Sequence, residues 1–341
     1  MIQKKLAGMI KPLMNWMSQP QDGLVESLEA TSGDLVILGA AGKMGPTLAM
    51  MARRALSPDR RVIAVSRFSD SAVRTDLETH GIETISCDLL DRLSLKQLPD
   101  APNVIFMAGH KFGTGGQPEK TWVMNAVVPW LVGERYRDSK IVVFSTGCVY
   151  PLVSVDSRGS SETDELDPPG EYANSCVARE RIFSHFSREY GTPILIFRLN
   201  YAIDLRYGVL HDIAQKVLQG QPVDLSMGYV NVIWQGDAVD RALRCLSLTS
   251  SPPAILNVTG KERLSVKQLA IEFGERFGRT PVFTGTEGKT AWLSDASKSF
   301  SLFGDVSVTL DEMVEATADW LLQGGSSLGK PTHFETRDGK F

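Results

Sequence analysis

The chain has 341 residues, 43% hydrophobic and 22% charged, with a formal net charge of −4 and four cysteines. That length buries a sizeable core and predicts a soluble α/β protein with one main domain and a smaller lobe. The charge gives no general electrostatic reason to bind nucleic acid or an anionic membrane. Cys87, Cys148, Cys176 and Cys245 are too scattered for a zinc site or a disulfide framework, so no metal is expected and a reducing cytoplasm fits.

Met1 to Met17 sets Lys4, Lys5 and Lys11 among Leu6, Met9, Ile10, Leu13, Met14, Trp16 and Met17. This amphipathic helical pattern is too interrupted to span a bilayer and lacks the long apolar core of a signal peptide. Residues 1–30 read as a helical extension, packed on the outside of the domain or onto a second subunit.

The apolar run Leu35-Val36-Ile37-Leu38 leads directly into Gly39-Ala40-Ala41-Gly42-Lys43-Met44-Gly45, closed by Pro46. That order spells a buried strand, a glycine turn and a helix start. The glycines let the backbone approach a pyrophosphate, and the helix N-terminus turns unpaired N–H groups and its positive dipole end toward the anion. Pro46 suits the first helical turn. The spacing is G-x-x-G-x-x-G rather than G-x-G-x-x-G, and Gly39, Gly42, Lys43, Met44 and Gly45 become the phosphate-binding candidates. About 20 residues on, Arg61 to Arg67 reads as the second strand, whose end meets the adenosine ribose. An acidic residue there accepts from the 2′-hydroxyl of NAD. This chain has Ser66 and Arg67 instead, which favours NADP over NAD. Lys43 leans the same way; the alternative is that Arg67 and Lys43 are solvated surface cations.

Further strand-like runs at residues 83–86, 104–107, 141–144 and 194–198 alternate with helical stretches at 46–56, 69–80, 118–136 and 171–189. The alternation predicts a Rossmann-type doubly wound parallel sheet, covered on both faces, over residues 31–200. Pro151 to Gly170, rich in Pro, Ser, Asp and Gly, reads as a binding loop or lid. Residues 201–329 read as a smaller C-terminal substrate-binding lobe with some elements returning to the nucleotide domain, and include Asp237 as the cap of a helix through Leu248. The tail, 330–341, either frays or packs as an extended arm.

Together these landmarks resemble the extended short-chain dehydrogenase/reductase superfamily, specifically the NAD(P)-dependent epimerase/dehydratase family, over roughly Leu35 to Leu322. The resemblance implies that Asp88, followed by Leu89, meets the adenine, that Ala108 and Gly109 pass beneath the cofactor, and that Asn125 supports the active-site geometry. In Ser145-Thr146-Gly147-Cys148-Val149-Tyr150 it implies a catalytic hydroxyl, with Thr146 the first choice and Ser145 the second. It makes Tyr172 the residue that exchanges a proton with substrate while hydride moves to or from the nicotinamide. A free phenol has a pKa of about 10, so the site must stabilise its phenolate.

Here the chain departs from the family's Y-x-x-x-K and reads Tyr172-Ala173-Asn174-Ser175-Cys176. Cys176, at the usual Lys position, is either an inert small residue or a reactive thiolate. Arg179, one turn further, either replaces part of the missing charge or is a solvated helix residue. A literal Tyr136-Arg137-Asp138-Ser139-Lys140 precedes a strand, at the end away from the cofactor, and reads as surface.

His110 and Lys111, with Gly113, Gly115 and Gly116, line a substrate pocket or form an exposed flexible loop. Arg198-Leu199-Asn200-Tyr201 resembles the family's sixth-strand segment but continues atypically, leaving Asn200, Arg206, Tyr207, Asn231 and Trp234 as candidate substrate contacts. The expected function is an epimerase/dehydratase-like oxidoreductase acting on a hydroxyl or carbonyl carbon of a sugar or small polyhydroxy compound. The alternative is a dinucleotide-binding sensor or scaffold with impaired catalysis. Expected partners are a small-molecule substrate and, by the family pattern, a second copy of the chain through the helices at 118–136 and 171–189.

Overall fold

Seven extended segments form one parallel sheet: β1 (Leu35–Leu38), β2 (Val62–Ser66), β3 (Glu83–Ser86), β4 (Asn103–Phe106), β5 (Lys140–Thr146), β6 (Ile194–Leu199) and β7 (Ala254–Val258). Their order is β7-β6-β5-β4-β1-β2-β3. In the computed structural model, residues 2–111 and 117–340 are described, with side chains from residue 9 onward. Gly113, Gly115 and Gly116 therefore lie outside the described residues. Leu35 and Ile37 enter the core on one face of the sheet, and Val36 and Leu38 enter it on the other. Burial on both faces is why the strand is apolar at every position. The strand order reverses at β1, and at such a switch point the chain leaves a crevice beyond the carboxyl ends of the strands.

The stretch expected as a single helix at 118–136 is instead Pro118–Trp122, a π-helical turn Val123–Val127, and Val128–Arg135. Pro129 has no N–H to return to residue 125, so the regular ladder cannot run through this point. Tyr136 is 1% exposed and donates to the Pro99 carbonyl at 3.3 Å. It is a core residue, not the surface residue expected. Lys140 opens β5 at the end away from the crevice.

A separate apolar core joins the helices Val209–Leu218, Val266–Phe277 and Leu310–Leu322 with Trp292 and Phe334. β7 returns from this region to pair with β6. The helix Gln235–Arg244 continues to Leu248 as a 3-10 turn, Cys245–Leu248. Asp237 lies in its first turn rather than at its cap and accepts from the Ser307 N–H at 2.9 Å.

Both chain ends pack on this framework. From the helix Ile2–Met17, Leu13 and Met17 enter the second core, and Trp16 lies 4.4 Å from Trp234. The C-terminal residues form an arm. Thr332 donates from its N–H and its hydroxyl to Asp212 at 2.7 and 2.6 Å, Phe334 is buried, and Arg337 donates to the Thr290 carbonyl at 2.6 Å. No helix among the described residues is long and apolar enough to cross a membrane.

Candidate active site

A cavity of about 780 Å³ lies over the carboxyl ends of the central strands, bordered by the glycine turn, Thr146, Tyr172 and the C-terminal arm. The three glycines of the turn do different work. Gly39 has φ +93°, and a Cβ there would meet the Ala108 nitrogen at 2.7 Å. At Gly45 a Cβ would run into the backbone of Ala40. Gly42 is exposed, and the nearest atom to its Cβ position is the Gly39 carbonyl at 3.3 Å. Two glycines thus let the chain fold, while the third keeps an open approach to the N-terminus of the helix Gly45–Ala55. This cradle fits the phosphates of a dinucleotide.

Lys43 is not the solvated cation of the alternative reading. Its Nζ lies 3.2 Å from the centroid of the Tyr207 ring, and burial, with help from Lys111 and Lys330, lowers its pKa to about 7. Ser66 ends β2 half-buried, and Arg67 beside it is exposed. Asp70, which caps the next helix by accepting from Ala72 N–H at 2.9 Å, borders the same cavity. Asp88 is exposed and accepts from Leu90 N–H at 3.0 Å, whereas Leu89 enters the core of the sheet.

Beneath the cavity, Asn125 of the π-turn clamps residue 110 from both sides. Its Oδ1 accepts from the His110 N–H and its Nδ2 donates to the His110 carbonyl, each at 3.0 Å. The same side chain donates to Ser175 Oγ at 2.9 Å and accepts from Arg179 Nη2 at 2.6 Å. Arg179 also donates to the Phe144 carbonyl at 2.8 Å and is buried, so it is not a solvated helix residue. A Cβ at Gly109 would lie 2.5 Å from the Arg179 guanidinium, which explains the small residue there.

Ser145 and Thr146 divide their tasks. Ser145 donates to Glu180 Oε1 at 2.5 Å, and Glu180 forms a buried pair with Arg198 at 2.7 Å. Arg198 donates to Tyr150 Oη at 2.6 Å, which in turn donates to Asn257 at 2.8 Å. Thr146 Oγ1 accepts from Cys148 N–H at 3.2 Å, which leaves its hydroxyl able to donate into the cavity.

Tyr172 is hydrogen-bonded to Cys176, one turn along the helix Glu171–Tyr190. Burial pushes the phenol well above its ordinary pKa, and Arg179 opposes the rise. Burial also raises the fully buried Cys176, which keeps it a thiol and fits the inert reading rather than the nucleophile.

Among the substrate candidates, Asn200 borders the cavity and donates to Asn231 at 2.8 Å. Arg206 reaches the cavity wall, but Asp204 neutralises it at 2.6 Å. Trp234 is buried against Trp16 and does not border the cavity. Tyr201, named in the sixth-strand segment but not singled out as a contact, is also a cavity residue. Its φ is +44°, and its hydroxyl is buried with no hydrogen-bond partner among the described residues. Met14 of the N-terminal helix and Leu328, Lys330 and Thr332 of the arm complete the wall. Their part depends on how the chain ends fold back, which no local motif records.

The sequence profile of the NAD dependent epimerase/dehydratase family matches residues 35–225, from β1 through the glycine turn and Tyr172 to the start of the second core. The chain belongs to that family. Membership makes a dinucleotide the ligand class of the glycine turn. Among curated proteins no sequence relative is found. Solved structures share the fold. MoeE5, in complex with UDP-glucose and NAD, is 21% identical with a TM-score of 0.68, covering 86% of this chain and 99% of its own. The UDP-glucose 4-epimerase of Thermotoga maritima, with UDP-glucose, is 18% identical with a TM-score of 0.69, covering 85% and 99%. The UDP-glucuronic acid 4-epimerase of Bacillus cereus, in complex with NAD, is 19% identical with a TM-score of 0.71, also covering 85% and 99%. Each neighbour is matched over nearly its whole length, and part of this chain extends beyond them.

Proposed function

We propose that the protein is an enzyme that binds a nicotinamide dinucleotide across the carboxyl edge of its sheet and acts on a hydroxyl- or carbonyl-bearing carbon of a sugar or small polyhydroxy compound. The observation that carries this reading is the convergence of the glycine turn, Thr146, Tyr172 and Asn200 on one cavity. When bound, the nicotinamide supplies the hydride acceptor and donor. The phenol of Tyr172 gives a proton to, or takes one from, the substrate oxygen. Thr146 holds that oxygen by its hydroxyl, and Asn200 orients the neighbouring polar groups. Sugar chemistry is favoured by the family and by the UDP-sugars named with the structural neighbours.

Ser66 and Arg67 are the residues that support NADP; Asp70 on the cavity wall and the NAD named with the neighbours support NAD instead. A Tyr-x-x-x-Cys arrangement operates in place of Tyr-x-x-x-Lys. Residues 31–200 and 201–329 act as nucleotide and substrate domains, with the helix Gln235–Arg244 and β7 returning to the nucleotide domain and with the extension at 1–30 and the arm at 330–341 on either side; the second core supports a separate lobe, while Ala238, Val239, Leu243 and Leu256 pack in the core of the sheet. The exposed Trp122, Val127, Trp130 and Tyr190 support a homodimer through their two helical segments.

The test is incubation of the protein with NAD or NADP and a panel of UDP-sugars, following both cofactor absorbance and product stereochemistry. An epimerase returns its hydride and leaves no net absorbance change. Tyr172→Phe must abolish turnover while retaining cofactor. A second reading, a dinucleotide sensor, is favoured by the raised phenol beside an uncharged thiol. It requires cofactor binding without turnover of any substrate.

A further inference from the structure

A proton-exchanging tyrosine needs a nearby positive charge, because an isolated phenolate in a half-buried site is strongly disfavoured. The helix offers none at position 176, where a fully buried thiol lies beside Tyr172. Arg179, one turn further, opposes the rise in the Tyr172 pKa, but its guanidinium is held in place by the Phe144 carbonyl and Asn125 and does not prevent the phenol from lying well above its ordinary value. Another cation approaches from a different element. Lys111, in the loop after β4, brings its Nζ to 5.7 Å from the centroid of the Tyr172 ring, within cation–π range, and borders the same cavity.

The approach is built into the fold. Asn125 holds both peptide groups of His110, so the backbone immediately before Lys111 is fixed. Asn125 is also tied to Ser175, whose hydroxyl donates to the Tyr172 carbonyl at 2.7 Å. One side chain thus sets the loop and the tyrosine helix relative to each other.

We propose that Lys111 supplies from the β4 loop the positive charge absent from position 176, and acts as the positioning residue for ionisation of Tyr172. The proposal rests on the reading that Tyr172 exchanges the proton. When the phenol gives its proton to a substrate oxygen, the Lys111 ammonium faces the phenolate left behind; when the phenolate recovers the proton, the ammonium is unchanged. The other titratable groups facing this pair are Cys176 and Arg179 on the tyrosine helix, Cys148 after β5, Asp212 on the helix Val209–Leu218, and Lys43 on the glycine turn. Burial lowers the Lys111 amine, while the Asp212 carboxylate pulls it back toward the charged form.

The test reads the charge on residue 172 without requiring turnover. Trifluorotyrosine at position 172 is close to tyrosine in size, and its fluorines lower the phenol's intrinsic pKa and give an NMR signal that follows ionisation. In Lys111→Met the titration midpoint should rise by roughly 1 to 2 pH units, the size expected for one unit charge at this range near a protein surface. Lys111→Arg should keep the parent midpoint, and Cys176→Lys in the Lys111→Met background should bring it back down. A midpoint unchanged or lowered in Lys111→Met overturns the proposal, as does a rise seen in Arg179→Met but not in Lys111→Met. Should Cys176→Lys fail to fold, the Met and Arg variants decide. A fully active Tyr172→Phe enzyme overturns the functional reading instead, and leaves the titration result standing.

Discussion

Glu180 accepts the hydroxyl proton of Ser145 at 2.5 Å while holding Arg198 at 2.7 Å, so Ser145 belongs to a buried ionic network that ties β5, β6 and the tyrosine helix together. Both residues border the cavity, but the Thr146 hydroxyl accepts from the Cys148 N–H and is not held by the ionic network. Thr146→Val should therefore reduce turnover by 10²-fold or more, an order typical of lost proton or oxyanion assistance (~10²–10³), with little change in melting temperature. Ser145→Ala should instead cost about 1 to 2 kcal/mol of stability and leave turnover less affected. Arg198→Met leaves the buried Glu180 carboxylate unpaired and should destabilise by about 3 to 5 kcal/mol. Thermal melts and single-substrate kinetics on the three variants check the division.

The glycine turn gives a second contrast. Gly42→Val points a branched side chain into the open approach and should weaken dinucleotide binding by at least tenfold, with the fold retained. Gly45→Val meets the Ala40 backbone and should prevent correct folding. Arg67→Ala should weaken NADP more than NAD; equal losses in a fluorescence titration reject the NADP preference.

Tyr201 carries a buried hydroxyl without a hydrogen-bond partner among the described residues. Removing it relieves an unsatisfied group, so Tyr201→Phe should raise the stability of the ligand-free protein by about 1 kcal/mol, within the range of such penalties. Urea denaturation measures the change, and any loss of stability contradicts it.

Stability should depend on pH through Asp240. Burial raises its pKa from the ordinary 3.8 to about 6, against the opposing effects of the Gln21 N–H at 3.1 Å and of Arg244. A raised folded-state pKa means that the contribution is fully present below about pH 4 and is lost as pH rises through about 6; two units correspond to roughly 3 kcal/mol at most. Asp240→Asn keeps the acceptor for Gln21 and should flatten this part of the pH–stability curve.

The arm ties the second core to the start of the tyrosine helix, where the backbones of Gly339 and Gly170 touch. Phe334 is 1% exposed, and Phe334→Ala should cost about 3 to 5 kcal/mol. Truncation after Gly329 should also weaken ligand binding, because Lys330 and Thr332 leave the cavity wall. Calorimetry with the bound cofactor separates the two effects.

The amino-acid sequence by itself determined the sheet, the glycine turn and the neighbourhood of Tyr172, because these are local patterns. A strand buried on both faces must be apolar throughout, a backbone that passes a phosphate needs glycine, and a helix places residues three and four apart on one face. The same locality marked Cys176 as a departure and Arg179 as a candidate charge on its face. Only the tertiary structure decided where the chain ends lie, that Tyr136 is core, that Trp234 faces Trp16, and that Ser145 is held by Glu180. It alone brought Lys111 over Tyr172, 61 positions away in the chain. Those relationships arise from contacts between distant segments, whose partners are chosen by the packing of whole elements rather than by the residues beside them in sequence.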